Sequence, residues 1–502
     1  MNKYLLEVIV FLCGAVVMIL ELTGSRLLAP YLGTSLFIWT SIIGIILGSL
    51  SLGYYLGGKI ADSEASLGDK KASFKQFSMI IFCAAVLVAI IALTQNDLLK
   101  FISEKITDIR IGGIIASILL FAPASIFLGM VSPYAVKLRL VSLENSGSTI
   151  GRLYAISTIG SIFGTFLAGF YLISAFGSVK LIYLLAATLL LVSILAYDRS
   201  FVKIKLLVFA LLILQTITIY FQNNSAKAQL IDLDTDYSRV WIYDTINSTT
   251  GKNTKILNLG RASHSAIFTE PSEQQSLVFE YTKYYDLGAH FAPDFKDGLI
   301  IGGGAYTYPM HYINKFPEAN IDVVEIDPKL TELAKKHFNL AENPRLKIYH
   351  EDGRTFLNKN TKKYDLVFGD AFRSFYSIPY HLTTVESVQK IHDSLTDDGV
   401  AIINVISAID GDKGKFLRAE YSTFKKVFPQ VYLFPTVDIN DGEIAQNIML
   451  VALKSDLEPS FKNDDANLQF FLDHLYQKPI ADDMPILTDD FAPVDQYIME
   501  LL

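Results

Sequence analysis

Four short motifs recur along the second half of the chain, and each closes an apolar run with residues able to touch a ligand. Leu299-Ile-Ile-Gly-Gly-Gly304 ends on three glycines, which permit a tight turn and a close approach of backbone to ligand. The run Ile321 to Glu325 ends on a carboxylate that can accept both hydroxyls of a ribose, and Asp352-Gly353 follows Leu346 to His350, where it suits an adenine amino group. Tyr364-Asp-Leu-Val-Phe-Gly-Asp370 ends on an acid placed to handle a proton or a cation. A glycine turn by itself also fits nicotinamide-dinucleotide enzymes. Four strand ends in this order point to a nucleoside held beyond the carboxyl edge of a sheet.

The elements that must position these groups follow from periodicity. Strands at Leu299–Gly302, Ile321–Glu325, Leu346–His350, Tyr364–Phe368 and Val400–Val405 alternate with helix-period segments, which predicts an open parallel sheet covered by helices. Ahead of them, Arg239–Tyr243 and Lys255–Leu259 are short strands of a small β subdomain, with turn residues at 247–253 and a helical stretch near 273–290.

The first half of the chain is of another kind. Apolar stretches near 4–29, 36–58, 76–95, 111–135, 150–175, 179–197 and 202–221 are long enough to span a bilayer, which predicts about seven transmembrane helices. The first is too long for a cleavable signal peptide and holds Glu21 and Arg26. Those two ions read equally as a structural pair near the interface or as part of a substrate path. Glycines at 44, 48, 53 and 57, and again at 160, 164 and 169, suit close helix packing in lipid. The expected domains are a transmembrane unit over 1–222, a β subdomain with its linking helix over 223–290, and a Rossmann-like catalytic domain over 291–502.

Charge agrees with that division. Residues 1–225 hold 16 Lys and Arg against 10 Asp and Glu, and the remainder 27 against 41, so the halves carry +6 and −14. A bilayer partner suits the first half, while the acidic second half offers no basic face for nucleic acid. Cys13 and Cys83 both lie in apolar runs, so neither a disulfide framework nor a metal site is expected. Loop lysines and arginines place the N-terminus in the cytoplasm, and seven crossings would then export the acidic half. The nucleoside is made in the cytoplasm, so the expectation is a multi-pass bacterial inner-membrane protein with a cytoplasmic catalytic domain.

Gly302-Gly-Gly, Val324-Glu-Ile-Asp327, Asp352-Gly-Arg-Thr-Phe-Leu357 and Tyr364 to Asp370 resemble the motif series of the spermidine synthases, the polyamine aminopropyltransferases. Glu21-Leu-Thr-Gly-Ser-Arg-Leu-Leu-Ala-Pro30, Ser377-Ile-Pro-Tyr-His-Leu-Thr-Thr384 and Leu487-Thr-Asp-Asp-Phe-Ala-Pro-Val494 are similar to bacterial members in which a multi-pass membrane domain is fused to a spermidine synthase-like domain. The resemblance implies a donor that is S-adenosylmethionine or its decarboxylated form, release of methylthioadenosine, and no metal. It implies Gly302, Gly303, Gly304, Glu325, Asp352 and Gly353 as the donor site and Asp370 as base or cation-orienting group. Tyr281, Tyr284 and Tyr285 stand where the family has Tyr-His-Glu, so Tyr285 joins the donor site. A homodimer through the β subdomain is also implied.

The chain departs from that pattern in three places. Ala305 replaces the family's amine-binding Asp, Arg373 its second acceptor-side Asp, and His264 its Gln. A cation at 373 repels a diamine, which argues against putrescine and leaves the acceptor open, an amine being one option. The Arg373 fork suits a carboxylate, so intact S-adenosylmethionine is an alternative donor, for methyl transfer or for a lyase or cyclase reaction. Tyr306, Tyr308, Tyr376 and Tyr380 are candidates for a wall that attracts a sulfonium, against ordinary packing. His381 is either a base near the acceptor or a residue that caps the next helix. A transporter with a nucleoside-sensing soluble domain is the remaining alternative.

Overall fold

The computed structural model describes residues 3–501 except 66–69, 107, 141–145, 197–202, 206, 209, 211–229, 261 and 372–377. The chain divides into two compact units, Met1–Arg239 and Val240–Leu502.

Unit one is helical: α1 (Lys3–Leu32), α2 (Leu36–Ala65), α3 (Lys70–Lys105), α4 (Ile109–Leu120), α5 (Ala122–Arg139), α6 (Ser146–Leu167) and α7 (Ser178–Leu195). Among the described residues six helical segments are long and apolar enough to cross a membrane, α4 and α5 together making one of them. Six of the about seven expected spans are found among the described residues, and the expected span at 202–221 lies mostly outside them. Pro123, within the first turn of α5, explains the break between α4 and α5, because it cannot donate the amide hydrogen bond that a continuous helix needs. The glycines divide by role. A Cβ on Gly53 would meet the Ile126 carbonyl oxygen at 2.2 Å, and one on Gly160 the Phe11 oxygen at 2.1 Å, so these helices touch backbone to backbone. Gly44, Gly48 and Gly169 face open space instead. Arg26 donates to the Asp236 carbonyl at 2.5 Å, which makes it a tether for the segment after the helices. Asp234 in turn accepts from the Ser178 amide at 2.7 Å and caps α7.

Unit two opens with three strands, β1 (Arg239–Ile246), β2 (Asn253–Leu259) and β3 (Ala262–Phe268), paired antiparallel in sequence order. The expected helical stretch near 273–290 is a run of single turns, among them Glu280–Lys283, Tyr284–Leu287 and Gly288–Phe291. Seven strands follow: β4 (Asp297–Ile301), β5 (Asn320–Val324), β6 (Leu346–Tyr349), β7 (Tyr364–Gly369), β8 (Leu395–Ser407), β9 (Gln430–Pro435) and β10 (Gln446–Leu453). They lie in the order β9-β10-β8-β7-β4-β5-β6. The sheet is mixed where an all-parallel one was expected, because β10 runs antiparallel to both β8 and β9. A short connection from β9 closes that hairpin, whereas each parallel pair needs a crossover. Buried aliphatic and aromatic side chains fill both faces, with Leu299, Val367 and Ile403 on one and Ile300, Phe368 and Ile402 on the other. Strand β4 has β5 on one side and β7 on the other, so the order reverses there and a crevice opens beyond their carboxyl ends.

Candidate active site

The crevice is a cavity of about 890 Å³ lined by residues from the carboxyl ends of β4 to β8 and from the β subdomain. Its floor is the glycine turn. Gly302 has φ +99° and a Cβ there would lie 2.4 Å from the Asp370 carbonyl oxygen, so the position requires glycine. Gly304, at φ +53°, would place a Cβ 2.8 Å from the Ser265 hydroxyl. These contacts bring the ends of β4 and β7 and the middle of β3 against one another.

Glu325, one residue past β5, spans the turn: one carboxylate oxygen accepts from the amides of Gly303 and Gly304 at 2.9 and 3.0 Å, the other from the Asp327 amide at 2.9 Å. The acid that the sequence assigns to ribose is therefore also the brace of the glycine loop. Asp352 caps helix Gly353–Lys359 by accepting from the Thr355 amide at 2.9 Å, and its second oxygen lies 3.2 Å from His381 Nε2. Burial opposes its ionisation, but the amide of Thr355 and the His381 ring prevail and hold its pKa below the usual carboxylate value.

Asp370 sits differently. It follows β7 and faces the cavity, where Asn404 donates to one oxygen at 3.1 Å and the Tyr281 hydroxyl to the other at 3.3 Å. Asn447 donates to the Asn404 carbonyl oxygen at 2.9 Å and fixes which way that amide faces. Burial pushes the Asp370 pKa up to about 6, and the three neutral donors Asn404, Tyr281 and Tyr285 only partly oppose it. Five carboxylates (Glu280, Glu325, Glu351, Asp352 and Asp370) line the cavity, and no Lys or Arg does among the described residues. Such a lining attracts a cation.

Gly302, Gly303, Gly304, Glu325, Asp352, Gly353, Asp370 and His381 thus converge on one cavity. Tyr306 and Tyr285 do not line it. Tyr306 takes a left-handed backbone, φ +60°, which turns its side chain into the core, where its hydroxyl meets Thr331 at 2.6 Å. Tyr285 is fully buried behind β7 and donates to the Gly369 carbonyl at 3.2 Å, so it supports the strand end that carries Asp370. Tyr308 lines the cavity, and Tyr380 is exposed. Arg373 and Tyr376 lie outside the described residues. Asp327 and Asp365 accept backbone amides at helix and strand starts. The sequence reading missed Asn404, Asn447 and Ser265. Asn404 did leave a signal, as the lone polar residue in the run Val400-Ala-Ile-Ile-Asn-Val405. Ser265 donates nothing visible to pattern analysis; its hydroxyl accepts the Ala305 amide at 3.0 Å.

Known proteins resemble this unit. Residues 281–437 match the model of the spermine/spermidine synthase domain. They form a spermidine synthase domain. A polyamine aminopropyltransferase of Vibrio vulnificus is 28% identical over 178 residues, 35% of this chain and 57% of that one. The chain therefore spans little more than half of that relative. Polyamine aminopropyltransferase 2 of Aquifex aeolicus is 24% identical over 470 residues, which cover 86% of this chain and 85% of the relative, helical unit included. A probable spermidine synthase from Corynebacterium glutamicum, 24% identical, overlays 47% of this chain and 83% of its own with a TM-score of 0.40. The curated relatives are named as transferases, and residues 281–437 of this chain match the domain of that family.

Proposed function

We propose that the protein is a membrane-integrated aminopropyltransferase that takes decarboxylated S-adenosylmethionine as donor and an amine as acceptor. The observation that carries this reading is the cavity lining of five carboxylates, which suits a cationic sulfonium donor and a cationic amine. A donor that kept its carboxylate would meet repulsion from the same groups unless Arg373, which lies outside the described residues, paired with it.

The chemistry follows from the two kinds of acid. Glu325 and Asp352 hold the nucleoside, with Gly302 to Gly304 allowing its close approach. The acceptor amine reaches Asp370, whose raised pKa makes it a better proton acceptor than an ordinary carboxylate. Asp370 takes a proton from the ammonium group of the acceptor, the freed lone pair on nitrogen bonds to the propyl carbon, and the C–S bond breaks with its electron pair going to sulfur, leaving the new secondary amine as an ammonium ion. Methylthioadenosine leaves neutral. A sulfonium needs no acid to depart, so alignment supplies most of the acceleration.

Six described crossings return the chain at Leu195 to the side of its N-terminus, the side richer in Lys and Arg. An inner-membrane protein with a cytoplasmic catalytic domain and a homodimer belong to the same proposal, which requires that the expected span at 202–221, mostly outside the described residues, not cross the membrane. Mass spectrometry of the detergent-solubilised protein, given each donor with and without a polyamine mixture, tests the reaction. Methylthioadenosine and an aminopropylated amine from the decarboxylated donor alone are expected. Methylthioadenosine or S-adenosylhomocysteine from intact S-adenosylmethionine would refute the proposal in favour of lyase or methyl-transfer chemistry.

A further inference from the structure

The segment Leu487-Thr-Asp-Asp-Phe491 lies far along the chain from the nucleoside motifs, lines no part of the cavity and has no role in the proposed reaction. It folds as a tight turn closed by reciprocal hydrogen bonds of 3.0 Å between Thr488 and Phe491. Its Asp489 carboxylate takes a bidentate pair from Arg354, at 2.7 Å from one guanidinium nitrogen and 3.1 Å from the other. Arg354 is two residues past Asp352, and its side chain is 15% exposed. The same guanidinium nitrogen that reaches Asp489 at 3.1 Å also donates to the His381 carbonyl at 2.9 Å and lies 3.1 Å from the Thr384 hydroxyl. Thr384 gives its own proton to Asp489 at 2.7 Å, and the Val385 amide donates to the Leu487 carbonyl at 2.8 Å.

His381 is therefore held twice, its ring on Asp352 and its carbonyl on Arg354, two residues apart in sequence. It needs such ties, because it sits in one 3-10 turn, Tyr380–Leu382, which has little stability of its own. We infer that Arg354 and Asp489 are positioning residues: the C-terminal turn clamps His381 onto Asp352 and so sets the affinity of the nucleoside end of the cavity. The clamp rests on the proposed nucleoside ligand. It adds to that reading a specificity device built from the far end of the chain. A bidentate guanidinium–carboxylate pair fixes orientation as well as distance, and Lys cannot reproduce it.

Calorimetric titration of methylthioadenosine into the full-length protein in detergent tests the clamp without needing turnover. Asp489→Asn and Arg354→Lys should each bind about tenfold more weakly at an unchanged melting temperature, with acceptor KM unaltered. Asp489→Asn combined with His381→Ala should be no weaker than His381→Ala alone, since both changes release one contact. Asp489 is nearly half exposed, so its variant carries the test should Arg354→Lys fail to fold. Wild-type affinity in the folded Asp489→Asn protein, or additive losses in the double variant, would overturn the inference. Wild-type protein that binds no methylthioadenosine would overturn the proposed function, and the clamp with it.

Discussion

The two ends of the cavity treat their carboxylates in opposite ways. At the nucleoside end, Glu325 and Asp352 accept backbone amides from a glycine turn and a helix start. Amide donors fixed by the fold favour the ionised form. At the transfer end, Asp370 meets neutral side-chain donors, Asn404, Tyr281 and Tyr285, in a buried setting that raises its pKa to about 6. One end is built to stay charged and recognise. The other is built to exchange a proton, and the same residue type serves both because the local donors differ.

Substitutions that abolish one end should spare the other. Asp370→Asn keeps the volume and loses the base; kcat should fall by roughly 10³-fold while methylthioadenosine still binds as in the wild type, as steady-state kinetics and calorimetry would show. Next in size, Glu325→Gln removes the charged brace of the glycine loop. Donor affinity should drop by about 100-fold with a smaller change in kcat, and a loss confined to kcat would erase the distinction between the ends. A smaller and more telling change is Asn404→Ala. Asn404 lowers the Asp370 pKa against the larger effect of burial, so its removal should move the acid limb of the kcat/KM profile to higher pH. Tyr281→Phe should move that limb the same way by less, because its hydrogen bond is the longer, at 3.3 Å against 3.1 Å. A shift to lower pH in either variant would contradict the assignment of these donors.

Much of this contrast was legible in the sequence, for a definite reason. Gly302, Glu325 and Asp370 each close an apolar strand whose period is unmistakable, and strand ends at a switch point are where ligands gather. Directions of side chains in turns were not legible. Tyr306 is adjacent to the glycine loop in sequence, yet its positive φ sends the ring inward. Nor did any local pattern announce the antiparallel β10 or the pairing of Arg354 with Asp489 across 135 residues. Those depend on contacts that only the folded chain makes. The helical unit was readable by length and apolarity, and the role of Arg26 became clear only from its partner, the Asp236 carbonyl.

The central claim is that Asp370 accepts the proton at a pKa set by its burial. The most direct test is the pH dependence of kcat/KM for the donor, which reports ionisations in the free enzyme. With the base ionised only above its pKa, kcat/KM should rise by about tenfold per pH unit and level off near pH 6. An acid limb at the ordinary carboxylate position, about two units lower, or a limb unchanged in Asp370→Asn, would contradict it.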